Sequence, residues 1–444
     1  MRRSLTAVLL GTFTLRFSTG LTGALLVYYL AELQGFGADR VTAFEVGILT
    51  AAFYVAELVL SPVFGMLSDR IGSRKVMQYG PIFGAVAVVM TALTTDLFLL
   101  GITRWLEGAA AAASIPSILG FIAVATSHDE ELRGRIVARF EAATLAGLGL
   151  GLVAAGGLWA LLDRNAFYLN AVLYGVSFLI YRYGVTSEGV AEARAEEVAA
   201  ETEELGAGGV GAMSHGFSLA RYRGVLANPA VWLLAPTWIA VNAFIGAWTS
   251  QSIFQLVNEP REGFEDQLLM GGFEPAQVSI GLAVALAVFF AGLFYWGNRF
   301  KRYRRTTIMG IGIAGGIVMV SAIYGLNHAA LAIAVVQVPL ALVAAGGLFV
   351  LAGATPAALG MLADVSEQHP EDRGAIMGLY SVFLAVGQVV GSLLGGGAAE
   401  LMGIDGLLLA SAGLLLLAFV PLRWLRGSEH LVNRSDTPIT EAAA

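Results

Sequence analysis

Residues 65–75 read GMLSDRIGSRK and separate two long apolar stretches, at 41–67 and 75–94. The segment combines turn-forming glycines, an acid-base pair and a basic pair, at Gly65, Asp69, Arg70, Gly72, Arg74 and Lys75. Glycine permits the backbone conformations that a tight turn between two helices requires. A helix of about 20 mostly apolar residues can cross a bilayer, and both flanking stretches reach that length. The segment therefore predicts a polar turn between two membrane-spanning helices.

The composition of the whole chain also predicts a membrane protein. Of 444 residues, 57% are hydrophobic and 13% are charged, and the mean hydropathy is +0.73. A soluble chain of this length could not cover so much apolar surface, whereas a bilayer accepts it. The 55 glycines suit close packing of transmembrane helices. The chain has no cysteine, which excludes disulfides, thiolate catalysis and cysteine metal sites, and we expect no cofactor and no metal.

Twelve apolar stretches are long enough to span a bilayer, and they are apolar around most of their circumference, unlike soluble amphipathic helices. Their predicted limits are 6–31, 41–67, 75–94, 97–126, 134–162, 166–183, 229–257, 275–297, 306–326, 329–363, 374–400 and 405–422. The first stretch resembles a signal peptide, but its apolar pattern continues past Arg16 to Leu30. We therefore interpret it as an uncleaved first span.

The distribution of positive charge predicts the orientation. If the N-terminus is cytoplasmic, 21 of the 26 Lys and Arg residues fall on the cytoplasmic side. The outer side carries only Arg40, Arg164 and Arg261, and two arginines lie inside spans. Cytoplasmic loops of membrane proteins carry an excess of Lys and Arg. We therefore expect a multi-pass protein of the cell membrane with both termini in the cytoplasm.

The two halves of the chain are related by an internal repeat. SIPSILGFIA at 114–123 matches ATPAALGMLA at 354–363, an offset of 240 residues. When the offset is kept without gaps to 157 and 397, twelve of 44 positions are identical, including a proline, an Arg-Gly pair and several spaced glycines. A six-span repeat in one orientation implies two similar bundles around a pseudo-twofold axis.

The repeat and the longest polar stretch together predict the domain organisation. We expect a six-helix bundle at 1–183, a cytoplasmic linker at 184–228, a second six-helix bundle at 229–426 and a cytoplasmic tail at 427–444. The linker begins with an acidic, Ala-rich piece and continues through a Gly-rich piece, and its final part is predicted to be an amphipathic helix on the inner membrane face.

The 65–75 segment resembles the signature loop of the major facilitator superfamily, in which a Gly, an Asp-Arg pair, a second Gly and a basic pair recur at this spacing between the second and third spans. The resemblance implies an all-α fold of 12 transmembrane helices in two bundles, and a transport function by alternating access. It also implies that Asp69 latches the two bundles on the inner side, near the start of the eleventh span at Gly374. A helix N-terminus favours a carboxylate, which agrees with that role.

Two further motifs bear on the coupling mechanism. Arg104 and Gly108 in the fourth span resemble the family's second motif, whose arginine is tied to proton movement, although the family usually has Gln where this chain has Glu107. The fifth span carries glycines that resemble an antiporter motif, but Leu152 stands where that motif has proline. Close helix packing is the better explanation of those glycines.

Five charged residues lie more than five positions from the ends of predicted spans, at Arg16, Glu57, Arg104, Glu107 and Glu141. At 1.5 Å per residue, Arg16, Glu57 and Glu107 lie about 15 Å along their helices, near the middle of the bilayer. A charge at that depth is costly when it faces lipid, so we expect these side chains to face a cavity or one another. No histidine lies in a span, so any proton carrier is a carboxylate, and Glu57 and Glu107 are best placed. The alternative is a purely structural set of buried ion pairs.

The second half has no central charge in its spans and offers amides and aromatic rings instead. The predicted substrate-cavity residues are Asn242, Gln251, Gln337, Gln388, Trp238 and Tyr380. A cavity charged on one side and amide-plus-aromatic on the other suits an amphipathic or aromatic organic solute. Each amide alone is equally typical of helix packing.

Three functions remain open from the sequence. The first is a secondary transporter that couples efflux of a small organic solute to protons. The second is uptake or exchange of a small organic anion held by Arg16 and Arg104. The third is a lipid- or pigment-handling or assembly-assisting membrane protein. We expect no enzymatic activity, because no nucleophile–base set or phosphate loop stands out. The expected partners are protons, the solute and the lipid bilayer, without nucleic acid, and we expect a monomer.

Overall fold

A computed structural model describes residues 2–126, 129–186, 229–260, 262–299, 302–329, 333–367 and 373–427. Within these ranges the chain is helical and contains no β-strand. Most of the predicted linker, including its amphipathic helix, and the tail from 428 onward lie outside the described residues.

The first half of the chain forms seven α-helices among the described residues. They are α1 (Arg2–Ala31), α2 (Ala43–Ile71), the short α3 (Ser73–Val76), α4 (Tyr79–Leu93), α5 (Leu97–Ala125), α6 (Glu130–Leu162) and α7 (Ala166–Gly184). Side chains from the preceding loops start several of them. Thr42 and Glu45 form a reciprocal capping box on α2, and the carboxylates of Asp96 and Asp129 accept backbone hydrogen bonds at the starts of α5 and α6.

The second half forms six described helices. They are α8 (Pro229–Val257), α9 (Pro275–Gly297), α10 (Arg305–His328), α11 (Ile333–Leu351), α12 (Ala354–Glu367) and α13 (Arg373–Gly427). The predicted span 329–363 is therefore divided, because the helix breaks at 352–353. Helix α13 covers the last two predicted spans and is broken at Met402 and Gly403, where the backbone leaves helical geometry.

The helices have the length and hydropathy of membrane spans. Among the described residues, eight stretches are long and apolar enough to cross a membrane. Two of them, Glu131–Gly184 with 54 residues and Ser381–Gly427 with 47 residues, are long enough for two crossings each. Helices α1 and α8 are not among the eight. Each of the twelve predicted spans overlaps helix among the described residues, and the number of crossings stays a prediction.

Glycines set the packing of the first helices. Helix α1 packs on α6 and α7, and α2 packs on α5. A Cβ atom at Gly151 of α6 would lie 2.1 Å from the carbonyl oxygen of Phe17 in α1, and one at Gly108 of α5 would lie 2.3 Å from that of Phe53 in α2. Backbones this close tolerate only glycine, which supports the interpretation of the α6 glycines as packing residues.

The equivalent glycine of the second half makes an equivalent contact. Gly387 of α13 is the repeat partner of Gly147 in α6. A Cβ atom at Gly387 would lie 2.7 Å from the carbonyl oxygen of Ile239 in α8, and one at Gly147 would lie 2.6 Å from that of Phe13 in α1. The internal repeat is therefore expressed as the same helix pairing in both halves of the chain.

The chain divides into two compact units whose bounds differ from those of the sequence repeat. The first unit contains Met1–Phe217, Gly246–Leu286 and Gln388–Leu407, and the second contains Ser218–Ile245, Ala287–Gly387 and Leu408–Ala444. The first unit thus joins α1 to α7 with parts of α8, α9 and α13. The two predicted six-helix bundles, at 1–183 and 229–426, stay a prediction.

Candidate functional site

A buried ion pair lies inside α5. The guanidinium of Arg104 donates to Oε2 of Glu107, and the two side chains expose only 8% and 2% of their surfaces. The guanidinium also lies over the ring of Phe53 in α2, 4.9 Å from its centroid. Oε1 of Glu107 and Nε of Arg104 are buried and have no hydrogen-bond partner among the described residues. The hydrogen-bonding capacity of the pair is therefore only partly used among the described residues. Burial of a polar atom without a hydrogen bond costs free energy.

The second arginine lies between two carboxylates. Arg16 of α1 is 8% exposed, and its guanidinium interacts electrostatically with Glu57 of α2 and with Glu141 of α6. Glu57 is half-buried and Glu141 is exposed. Close packing of α6 on α1 makes this possible, because a Cβ atom at Gly147 would lie 2.9 Å from Cβ of Arg16.

Tyr54 connects the two groups of charges. The Tyr54 side chain interacts electrostatically with Glu57, Arg104 and Arg16. The structure therefore brings the five charges predicted from the sequence into one region, supplied by α1, α2, α5 and α6. We call these five residues and Tyr54 the charge cluster. Their functional roles stay predictions.

A chain of polar side chains lies next to the charge cluster and was not predicted. Tyr174 of α7 interacts electrostatically with Glu107, and its hydroxyl lies 3.4 Å from that of Thr22 in α1. Asn170 donates to the Thr22 hydroxyl at 2.7 Å and to the carbonyl oxygen of Ser18 at 3.0 Å. The sequence feature that could have indicated these contacts is the presence of Tyr174 and Asn170 inside an otherwise apolar predicted span.

The turn predicted over 65–75 is confined to Gly72: Gly65, predicted as a turn glycine, lies inside α2, and residues 73–76 form α3. Helix α2 ends at Ile71, and Gly72 adopts φ 94° and ψ 138°, so the glycine is required there. Arg74 donates to the carbonyl oxygen of Arg182 at the end of α7, over 3.1 Å. The Asp69 side chain lies outside the described part of the structure, so its latch role stays a prediction.

The predicted cavity residues whose side chains are described make hydrogen bonds within one helix or between helices. Asn242 donates to the Trp238 carbonyl oxygen of its own helix at 2.9 Å, and Gln337 donates to that of Ala329 at 3.2 Å. The hydroxyl of Thr249 donates to Oε1 of Gln388 at 3.3 Å. The side chain of Tyr380 is outside the described part. Contact of these residues with a substrate stays a prediction.

The start of α2 is bound by two side chains from the second half of the chain. Glu400 of α13 accepts a hydrogen bond from the backbone N–H of Ala43 at 2.8 Å, and Gln251 of α8 donates to the Ala43 carbonyl oxygen at 2.9 Å. Backbones also meet here, since a Cβ atom at Gly47 would lie 2.4 Å from the Ser392 carbonyl oxygen. We call these five residues the distal contact, because they lie at the end of α2 farthest from the 65–75 turn.

A contact related to this one by the repeat lies at the start of α9. Gly156 of α6 is the repeat partner of Gly396 in α13. A Cβ atom at Gly396 would lie 2.8 Å from the carbonyl oxygen of Ala43, and one at Gly156 would lie 1.9 Å from that of Pro275 at the start of α9. The two glycine-mediated contacts are thus related by the internal symmetry.

Comparison with known proteins agrees with this architecture. The family profile described as Major Facilitator Superfamily matches residues 8–273 and 266–441. The quinolone resistance protein NorA of Staphylococcus aureus (strain MRSA252) is 26% identical over 182 residues, 40% of this chain and 44% of NorA. The multidrug resistance protein MdtG of Escherichia coli O1:K1 / APEC is 30% identical over 125 residues, 28% of this chain and 30% of MdtG. The chain thus matches less than half the length of these curated relatives.

Among solved structures, the chain resembles the nucleoside transporter NupG. The crystal structure of a NupG point mutant superposes with a TM-score of 0.68 at 14% sequence identity, covering 94% of this chain and 99% of the other. A second crystal structure, of NupG itself, gives a TM-score of 0.66 at 13% identity and covers 96% of this chain and 100% of the other. At this identity the likeness concerns the fold alone.

Proposed function

This chain belongs to the major facilitator superfamily, and on that premise we propose that it exports a small organic solute in exchange for protons. The proposal includes two six-helix bundles, at 1–183 and 229–426, that rock about a central site in the cell membrane. Both termini lie in the cytoplasm, the protein works as a monomer, and its activity is transport rather than catalysis. In this proposal the amides and rings of the second half bind the substrate, and the charge cluster supplies the proton-coupling groups.

The observation that carries the proposal is the buried Arg104–Glu107 pair. Holding charges at that depth is costly, so such residues are kept where they act on ions or substrates. Glu107 has one oxygen bonded to Arg104 and a second, buried oxygen without a hydrogen-bond partner among the described residues. A carboxylate that is separated from its arginine while it stays buried takes up a proton. The pair therefore has the chemistry of a proton-coupling site.

The charge balance of the cluster favours export of cationic or neutral solutes over anion uptake. Two guanidinium groups face three carboxylates. Arg104 is bonded to Glu107, and Arg16 interacts with both Glu57 and Glu141. Arginines that are already matched by carboxylates make a poor clamp for an added anion, because like charges oppose its entry. Uptake of an organic anion through Arg16 and Arg104 is therefore the second candidate.

The relatives suggest which solutes to test first. NorA is named for quinolone resistance and MdtG for multidrug resistance, and both match this chain over part of its length. Quinolones and other amphipathic organic drugs are therefore the first class to examine. Such solutes suit a cavity that combines carboxylates with amides and aromatic rings.

The distal contact supplies a gate for alternating access. Ala43 is held through both its N–H and its carbonyl group, by Glu400 and Gln251. If both termini are cytoplasmic, this contact closes the outer end of the transport path. Export would then require the two hydrogen bonds and the glycine contact at Gly47 to separate in each cycle.

The test is proton flux in proteoliposomes that contain the purified protein and an internal pH dye. Quinolones, amphipathic cations, organic anions, sugars and lipids are added in turn to wild type and to Glu107→Gln. We expect amphipathic cations to drive proton movement in wild type and the variant to lose it. The matched control is Glu131→Gln, which removes an exposed carboxylate paired with Arg135 on the surface of α6.

Each other outcome has a defined meaning. Solute transport without proton movement would contradict the coupling role of Glu107 and leave it a structural partner of Arg104. Proton-linked movement of organic anions alone would favour the second candidate. Absence of any solute movement in wild type would overturn the transporter proposal in favour of lipid handling or an assembly role.

A further inference from the structure

An open groove lies between α1 and α7, near the first turn of α1. Its volume is about 710 Å³. The residues lining it are Arg3, Thr6, Ala7, Leu10, Val176, Leu179, Ile180, Tyr183 and Gly184. None of these is assigned a part in transport, so the groove calls for a separate explanation.

The walls of the groove are apolar and exposed. Leu10 is 56% exposed, Leu179 51% and Tyr183 77%. Val176, Leu179 and Tyr183 recur at helical spacing and so form one stripe along α7, while Ala7 and Leu10 belong to the facing stripe of α1. From Arg3 to Leu10 the groove runs about 10 Å along the helix axis. Such a surface suits an extended hydrocarbon chain.

The floor of the groove is fixed by close packing of small residues. A Cβ atom at Gly184 would lie 2.7 Å from Cβ of Ala7. The ends of the two helices are also joined, because the hydroxyls of Ser4 and Thr186 lie 3.0 Å apart and the Thr186 N–H donates to the Ser4 hydroxyl at 3.2 Å. The floor of the groove is therefore set by direct contacts between α1 and α7.

The end of the groove is cationic. Arg3 is exposed there, and the lining contains no carboxylate. Arg182, next to Tyr183, is also exposed, and Arg74 donates to its carbonyl oxygen. Arginine near the end of a transmembrane helix lies at the level of lipid headgroups, and tyrosine is enriched at that level. A cation above an apolar channel is complementary to an anionic headgroup above an acyl chain.

We propose that this groove binds one anionic glycerophospholipid, with its phosphate at Arg3 and an acyl chain along Leu10, Val176 and Leu179. A zwitterionic lipid offers the same chain but no net charge, so it gains less from Arg3. A second copy of this chain would have to bury Arg3 against a matching carboxylate, and this face has none in its lining. Charge complementarity therefore selects an anionic lipid as the occupant.

The experiment is native mass spectrometry of the purified full-length protein titrated with phosphatidylglycerol or with phosphatidylcholine of the same chains. We expect wild type to bind one phosphatidylglycerol more tightly than phosphatidylcholine. Arg3→Gln is expected to weaken phosphatidylglycerol binding about fivefold and to leave phosphatidylcholine unchanged. Tyr183→Ala removes an apolar wall and is expected to weaken both lipids.

The matched control is Arg426→Gln, which removes an exposed arginine from the last turn of α13. It should bind both lipids as wild type does. Equal binding of the two lipids by wild type, or an equal loss in Arg3→Gln and Arg426→Gln, would overturn the proposal. A dimer that forms without lipid and is broken by Tyr183→Ala would also overturn it, by showing that a second copy covers the groove.

Discussion

Arg104 and Glu107 form a hydrogen-bonded ion pair one turn apart on α5, and both side chains are buried. The pair has support from one neighbouring helix, since Phe53 of α2 lies against the guanidinium. It also lies beside Tyr174 of α7. A local sequence motif is thereby connected to two other helices, so a change in either charge is expected to affect the packing as well as the proposed coupling role.

Removal of one partner of this pair should destabilise the protein more than removal of both. Glu107→Gln leaves Arg104 buried without a carboxylate, which costs about 3–5 kcal/mol in soluble proteins. The double variant Arg104→Gln, Glu107→Gln leaves no uncompensated charge. We expect the single variant to have the lowest melting temperature in detergent, measured by tryptophan fluorescence, and the double variant to recover much of the loss. A double variant whose melting temperature is as low as that of the single variant, or lower, would contradict the pairing.

The contact between α1 and α6 depends on Gly151. A Cβ atom there would lie 2.1 Å from the carbonyl oxygen of Phe17, so Gly151→Ala must push the two helices apart. Overpacking of this kind costs about 1–3 kcal/mol. Gly157→Ala is the matched control in the same helix, because among the described residues nothing outside its own stretch of α6 lies within 4 Å of its Cβ position. The melting temperature should fall in Gly151→Ala only. A similar fall in both variants would show that alanine destabilises α6 regardless of the contact with Phe17.

The distal contact should open when Glu400 is removed. The chain has no cysteine, so Ser392→Cys provides a single reporter at a fully buried position. Loss of a charge-assisted hydrogen bond costs about 1.5–3 kcal/mol, which corresponds to roughly tenfold or more in the open fraction. We therefore expect Glu400→Ala to raise the rate of maleimide labelling at position 392 about tenfold. Glu274→Ala, an exposed acid, is the control, and unchanged labelling in Glu400→Ala would contradict a gating role.

The break in α13 requires glycine at position 403. Its backbone has φ 61° and ψ −141°, a region that side chains disfavour, and Gln267 accepts a hydrogen bond from Ile404 N at 2.8 Å and donates to Met402 O at 2.9 Å. Gly403→Ala should destabilise the protein by about 1–3 kcal/mol. Gly413→Ala, later in α13 and without close neighbours, serves as the control. A melting temperature unchanged by Gly403→Ala would show that the break tolerates a side chain.

Much of the fold could be predicted from the sequence because its signals are local. A long apolar stretch in a bilayer is predicted to be a helix, because a helix satisfies its own backbone hydrogen bonds. Each predicted span overlaps helix among the described residues. Glycine at the 65–75 turn and the repeat of spaced glycines also depend only on local backbone geometry. The division of 329–363 into α11 and α12 was not predicted, because periodicity does not show where a continuous apolar stretch bends.

The candidate site divides in the same way. The sequence identified Arg16, Glu57, Arg104, Glu107 and Glu141, since a charge inside an apolar stretch is conspicuous by itself. It did not identify Tyr174 or Glu400, whose partners lie on helices distant along the chain. Gln251, predicted as a cavity residue, donates to the Ala43 carbonyl oxygen, a partner that the sequence did not indicate, and its contact with a substrate stays a prediction.

The sequence by itself therefore determined that the chain is helical, membrane-spanning and internally repeated, and which charged residues lie within its apolar stretches. Hydropathy, glycine spacing and charge are properties of short segments, and a segment that is long and apolar enough spans the bilayer as a helix. Only the tertiary structure decided which carboxylate faces which arginine, which glycines are in backbone contact and what holds the start of α2. Those relationships depend on the distance between helices far apart in the chain, and short-range patterns do not encode that distance.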